Sequence, residues 1–214
     1  MRNTTRLVPA TGVAALVLTV TLAGCGSASK TASSNSVAGS GESSASSAAA
    51  SSAPAAATQP GPPGSPTVTL PELPGWSGDS ATLKDDPSIL AAVHYDETPD
   101  EAFIAVSMVA VDGPDQAIPA ASAGANKLNN VDNCAFEGAI DETSISGFQG
   151  FQATQICTPS TTTRVSETRA IAVPNTSGTS YVVVITGTAK QDQMGALDDA
   201  MKLVDSETTI TPAQ

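Results

Sequence analysis

Three stretches of the chain are apolar at nearly every position: 103-FIAVSMVAV-111, 181-YVVVIT-186 and, less cleanly, 89-ILAAVHY-95. Successive side chains of a strand point to opposite faces, so near-continuous apolar character predicts strands covered on both sides. More mixed segments flank them: 67-TVTL-70, 130-NVDNCAFEG-138, 151-FQATQIC-157 and 164-RVSETRAIAV-173. Turn residues punctuate the series, as at Asp112-Gly113-Pro114 and Pro174-Asn175-Thr176-Ser177-Gly178.

Two stretches change to a helical period. In 190–207, Met194, Leu197, Met201 and Val204 fall on one face, with Asp198, Asp199 and Lys202 opposite. In 115–130, Ile118, Ala121, Ala125 and Leu128 repeat that spacing, and Pro119 fits only the first turn, so this helix starts near Gln116 or Ala117. Both stripes are core faces, not cofactor boxes. The order is strands, a helix, four more strands and a helix, which predicts an α+β domain with helices on the faces of an antiparallel sheet.

The N-terminus follows another pattern. Arg2 and Arg6 precede a mostly apolar run from Leu7 to Ala23, too short for a stable transmembrane helix and of secretory length. It ends on Leu22-Ala23-Gly24-Cys25, which resembles a bacterial lipobox. Such a site implies cleavage of a signal peptide at 1–24 and a diacylglycerol thioether on Cys25, with further acylation (palmitate being the usual chain) at the new N-terminus. At about 0.8 kcal/mol per buried methylene, two or three chains anchor a protein lastingly to the membrane. Residues 25–65 are Ser, Ala, Gly, Thr and Pro with Lys30 and Glu42 as the charges, a composition that predicts a disordered stalk reaching roughly 35 Å. The folded domain is then expected over 66–214.

Removing Arg2, Arg6, Lys30 and Glu42 from the whole-chain balance of 9 basic and 21 acidic residues leaves the domain at −14. That charge excludes nucleic acid as a partner. Cys134 and Cys157 remain after Cys25, and export puts them in an oxidising compartment where a structural disulfide is expected. They form no C-x-x-C, and His94 is the single histidine available to help hold a metal.

Candidate catalytic chemistry is sparse. His94 lies in an apolar strand and is read as a core or edge histidine. Gly78-Asp79-Ser80 matches part of an esterase signature without a strand-to-helix elbow around it. Asp85/Asp86 and Asp198/Asp199 are adjacent pairs, read as a loop and a solvated helix face; 96-DETPDE-101 lacks the glycine and spacing of a calcium loop. Neither a cofactor nor a metal is expected, and the reading is of a protein that is not an enzyme. Of one Trp, two Tyr and four Phe, Trp76, Phe148 and Phe151 are the candidates for contact with a ligand or partner, closing the core ends being the other role open to them.

Four fragments in order, 65-SPTVTLPELPGW-76, 146-SGFQGFQATQI-156, 168-TRAIAVPNTSGTSYVVVITG-187 and 206-SETTITP-212, resemble the LpqN/LpqT family of actinobacterial lipoproteins. The resemblance implies an α/β/α sandwich of PsbP-like type. It implies a lipid-anchored protein on the outer face of the cell membrane, acting as a non-enzymatic accessory in trafficking of mycolate-type envelope lipids or of proteins. Envelope lipids and export-machinery proteins are the partners it suggests. A surface-exposed or shed protein acting on a host or neighbouring cell is the alternative.

Overall fold

The computed structural model describes residues 55–127, 133–158, 162–176 and 178–213. The chain begins with the short strands β1 (Ala57–Thr58), β2 (Thr67–Thr69) and β3 (Trp76–Gly78), then a one-turn helix α1 (Ser80–Asp85). The longer strands β4 (Ile89–Tyr95) and β5 (Ala102–Val111) follow, and a 3-10 turn over Pro114–Gln116 leads into α2 (Ala117–Lys127). Then come β6 (Cys134–Phe136), β7 (Asp141–Ile145), β8 (Phe148–Cys157), β9 (Arg164–Val173) and β10 (Ser180–Lys190), and the chain ends with α3 (Met194–Glu207) and β11 (Thr209–Thr211).

The main sheet runs β4-β5-β10-β9-β8, antiparallel throughout, with β1 and β3 along the outer edge of β4 and β6 and β7 along that of β8. The expected α+β class with a large antiparallel sheet is what forms. Its two faces are packed differently. On one, Ile104, Val106, Ile171, Val173, Val183 and Ile185 meet Leu197, Met201 and Val204 of α3. On the other, Ala170, Ala172 and Val182 meet Ala117, Ala121 and Ala125 of α2. The alternation within β9 sends Ile171 and Val173 to α3 and Ala170 and Ala172 to α2, while β10 turns Val183 and Ile185 to α3 and Val182 and Val184 to α2. A Cβ added at Gly124 would stand 3.7 Å from that of Ala170, so α2 lies directly on the sheet with no slot beneath it. On the α3 side, Gly187 makes the room: a Cβ there would stand 2.6 Å from Leu197 Cδ1.

Several elements differ from the sequence expectation. The strand at 67–69 joins β11 in a separate two-stranded sheet, with Val68 opposite Ile210. An additional fifth strand between α2 and α3, β7, has the polar sequence Asp-Glu-Thr-Ser-Ile and offers no alternation to detect. Order also begins before residue 66. Ala57 and Thr58 pair with Ala92 and Ala91, and Gln59 N donates to Leu90 O at 2.8 Å. Small residues there cannot bury much apolar area, but backbone hydrogen bonds to the edge of β4 hold the segment, and composition does not reveal those. The rest of the expected stalk, and the apolar run at 7–23, lie outside the described residues. Among the described residues no helix is long and apolar enough to cross a membrane.

Cys134 and Cys157 face each other directly across β6 and β8, with Cα atoms 3.9 Å apart and the sulfurs bonded at 2.01 Å. The bridge pins a three-residue edge strand that has few other contacts to hold it. Closing a loop over a sequence separation of 23 is expected to stabilise the fold by ~3–4 kcal/mol. Urea unfolding of Cys134→Ser/Cys157→Ser should show a loss of that order, with a slope equal to or steeper than that of the wild type because the unbridged chain unfolds further; thiol labelling of both cysteines in the unreduced wild type would mean that no bridge forms.

Candidate functional site

The aromatic candidates do not converge. Trp76 is 2% exposed and sits opposite Tyr95 across β3 and β4, ring centroids 5.4 Å apart. It closes the core at the β4 edge. Phe148 and Phe151 are half-buried in β8, three positions apart, and an odd spacing in a strand puts them on opposite faces. Phe148 packs against the α3 side and Phe151 against the α2 side. No single groove holds all three. Cys25 lies outside the described residues.

Gly78-Asp79-Ser80 is a helix start. Asp79 Oδ1 accepts from Ala81 N at 3.1 Å and Thr82 N at 3.0 Å, capping α1. Burial works against its charge, but the bonds from Thr82 and Ala81 and the attraction of His94 outweigh it, and the carboxyl is held below its ordinary value. His94 is half-buried in β4 between Ser77 of β3 and Phe103 of β5.

A charged cluster that the sequence pattern did not reveal lies on the α3 side of β9. Arg169, 7% exposed, donates Nε to Asp205 Oδ1 at 2.9 Å and Nη2 to Asp205 Oδ2 and Glu167 Oε2, each at 3.0 Å. The fork on Asp205 ties the last turns of α3 to the middle of the sheet. Burial disfavours the guanidinium charge, and the two carboxylates more than offset this. Glu167 is 9% exposed, and burial pushes its carboxyl above the ordinary value. A hydrogen bond shared with Asp198 pushes it the same way, while Arg169 pulls against both. The cluster opens into a cleft of about 370 Å³ whose polar wall includes Glu137, Asp141 and Asp198, with Met194 at its lip. Glu167 and Arg169 occupy alternate positions of a strand of mixed sequence, and Asp205 lies 36 residues beyond Arg169, so no local motif marks the site.

Among the described residues, helices cover only part of the opposite face of the sheet. α2 lies over β8, β9 and the adjoining side of β10, and α1 packs at β4. Between them, cross-strand pairing aligns Phe103 with Thr188, Ala105 with Thr186, Ser107 with Val184 and Val109 with Val182. Val109 is 56% exposed, and Phe103, Ala105, Ser107, Val184, Thr186 and Thr188 are half-buried. Hydroxyls line one end, with Ser166 and Thr188 in contact at 3.2 Å. A separate cleft of about 650 Å³ separates residues 55–62 from 65–70, with Leu90 in its wall.

The described residues form an antiparallel sheet with helices packed on its faces, an α+β domain. Residues 51–211 match the Lpp-LpqN family, described as probable lipoprotein LpqN, and the chain belongs to that family. The crystal structure of LpqN, involved in cell envelope biogenesis of Mycobacterium tuberculosis, is similar in fold, with a TM-score of 0.58. The two share 22% identity over 71% of this chain and 87% of that one. No curated protein matches the chain.

The Glu167 environment gives a pH signature. A carboxyl whose folded value is raised contributes stability that is fully present below its unfolded value, ordinarily 4.5, and lost as pH rises through the folded value. The stability difference between wild type and Glu167→Gln, from urea midpoints between pH 4 and 8, should therefore fall with rising pH. A difference that grows with pH would mean that the Arg169 pair governs Glu167 and that Asp198 does not.

Proposed function

We propose that this protein is an exported, lipid-anchored component of the bacterial cell envelope that works by binding and not by turnover, on a domain of the PsbP-like type. Family membership supports the anchor, and the role in envelope biogenesis stated for the similar LpqN supports the place of action. The observation that carries the binding reading is the half-open sheet face. Phe103, Ala105, Val109 and Val184 give it an apolar floor, and Ser107, Thr186 and Thr188 give it hydroxyls. Aliphatic floor beside hydroxyl rim suits a long-chain lipid carrying a polar head. Absence of turnover is supported by the use of Asp79 as a helix cap, which leaves His94, among the described residues, without a carboxylate in hydrogen-bond contact.

Purification of the full chain from its own envelope, followed by native mass spectrometry and lipid extraction, tests this. Acyl mass on a chain that starts at Cys25 and a co-purifying long-chain lipid, lost when Ala105→Trp fills the face, are the expected results. An unmodified N-terminus removes the anchor. A lipid-free wild type, or lipid retained unchanged by Ala105→Trp, removes the binding face.

A further inference from the structure

We infer that the free edge of β5 at residues 108–111 receives an extended, basic peptide segment of a partner protein as an added strand. The inference concerns the strand's edge and does not depend on the lipid reading of the sheet face.

β5 is longer than the strand beside it. On one side it pairs with β10 along its whole length, Met108 with Val183, Val109 with Val182, Ala110 with Tyr181 and Val111 with Ser180. On the other, the ladder with β4 stops at Ser107 opposite Ile89. The chain before Ile89 is drawn away by its own bonds: Ser88 N and Oγ donate to Asp86 Oδ1 at 2.9 and 2.6 Å, and Asp86 N donates to Thr82 O at 3.0 Å. Among the described residues, 108–111 make no backbone hydrogen bond beyond the β10 ladder. In an antiparallel pair alternate residues turn N–H and C=O away from the partner, so about half of these four present both groups outward.

Exposed edges are ordinarily blunted by lysine, proline, a bulge or a covering strand. The outer edges of β4 and β8 follow that rule. β1 and β3 cover β4; β6, held by its disulfide, and β7 cover β8, and β7 itself shows exposed Asp141 and Glu142. Met108-Val109-Ala110-Val111 itself carries neither lysine nor proline, and the β4 ladder beside it ends in a register shift between Ile89 and Ala91. Val109 and Ala110 are exposed, and Val109 and Met194 are the exposed large hydrophobic residues of the described chain.

Charge selects the occupant. Asp112 and Asp115 are exposed just past Val111 at one end of the open edge. A second copy would bring another domain of net −14 against the first, and like-charged surfaces resist docking. An extended segment carrying lysines or arginines meets complementary charge at Asp112 and Asp115 and satisfies the outward backbone groups of 108–111.

The test uses the full chain in detergent micelles and a fluorescein-labelled peptide, Lys-Lys-Val-Thr-Val-Thr-Lys-Lys. The control is Lys-Lys-Val-Pro-Val-Pro-Lys-Lys, of equal charge and without two of the backbone donors. Fluorescence anisotropy should show binding of the first peptide and not of the second, weakened about tenfold or more in Val109→Lys and Ala110→Lys variants of unchanged Tm. In the unsubstituted chain, the peptide should slow amide exchange at 108–111, a readout that stands even where a variant fails to fold. Equal binding of both peptides, absent binding, unchanged affinity in folded variants or unslowed exchange at 108–111 each overturns the proposal. A peptide-independent dimer abolished by Val109→Lys also overturns it, assigning the edge to a second copy.

Discussion

The structure depends on β9 and β10 being buried from both sides at once. Ile171, Val173, Val183 and Ile185 point one way and Ala170, Ala172 and Val182 the other, all close to solvent-inaccessible. Each large aliphatic side chain so placed contributes roughly 1.5–3 kcal/mol relative to exposure. The division by size sets how each helix sits. Alanine against alanine lets α2 approach the sheet, whereas α3 lays Leu197 and Met201 over Gly187 and fills the space around it.

The remaining features are answers to that arrangement. α3 must be held in register on the large-residue face, and the bidentate Arg169–Asp205 pair ties its far end to β9. That pair brings Glu167 and Asp198 into a poorly solvated place, which raises the Glu167 carboxyl. Removing one partner of such a pair costs far more than the pair itself contributes, because it leaves a buried charge unmatched. On the other face, a helix of eleven residues covers only part of a nine-stranded sheet. The uncovered part falls over β5 and β10, where the floor turns from alanine to mixed serine, threonine and valine.

What the sequence revealed follows from the same physics. Strands buried on both faces announce themselves as apolar runs, and β5 and β10 were legible for that reason, as was the start of α2 from Pro119 and the pairing of Cys134 with Cys157. Elements held by backbone bonds or by a single cap did not show. β1 has only Ala and Thr to offer, β7 is mostly polar, and α1 is too short for a helical period, so Asp79 looked like part of a catalytic signature while serving as its cap. The open face was invisible because exposure depends on where α2 ends over the sheet. The Arg169 cluster was invisible because its members are far apart in sequence.

Native-state hydrogen exchange, followed residue by residue in mild denaturant, tests the central claim about the β9–β10 spine. Amides of 165–173 and 181–189 should exchange only through global unfolding, with a denaturant dependence equal to that of the whole domain. The short edge strands β1, β3, β6 and β7 should open earlier, by local fluctuations of small slope. Exchange of β9 or β10 through such local openings, with an edge strand outlasting them, would contradict a fold organised around that doubly buried pair.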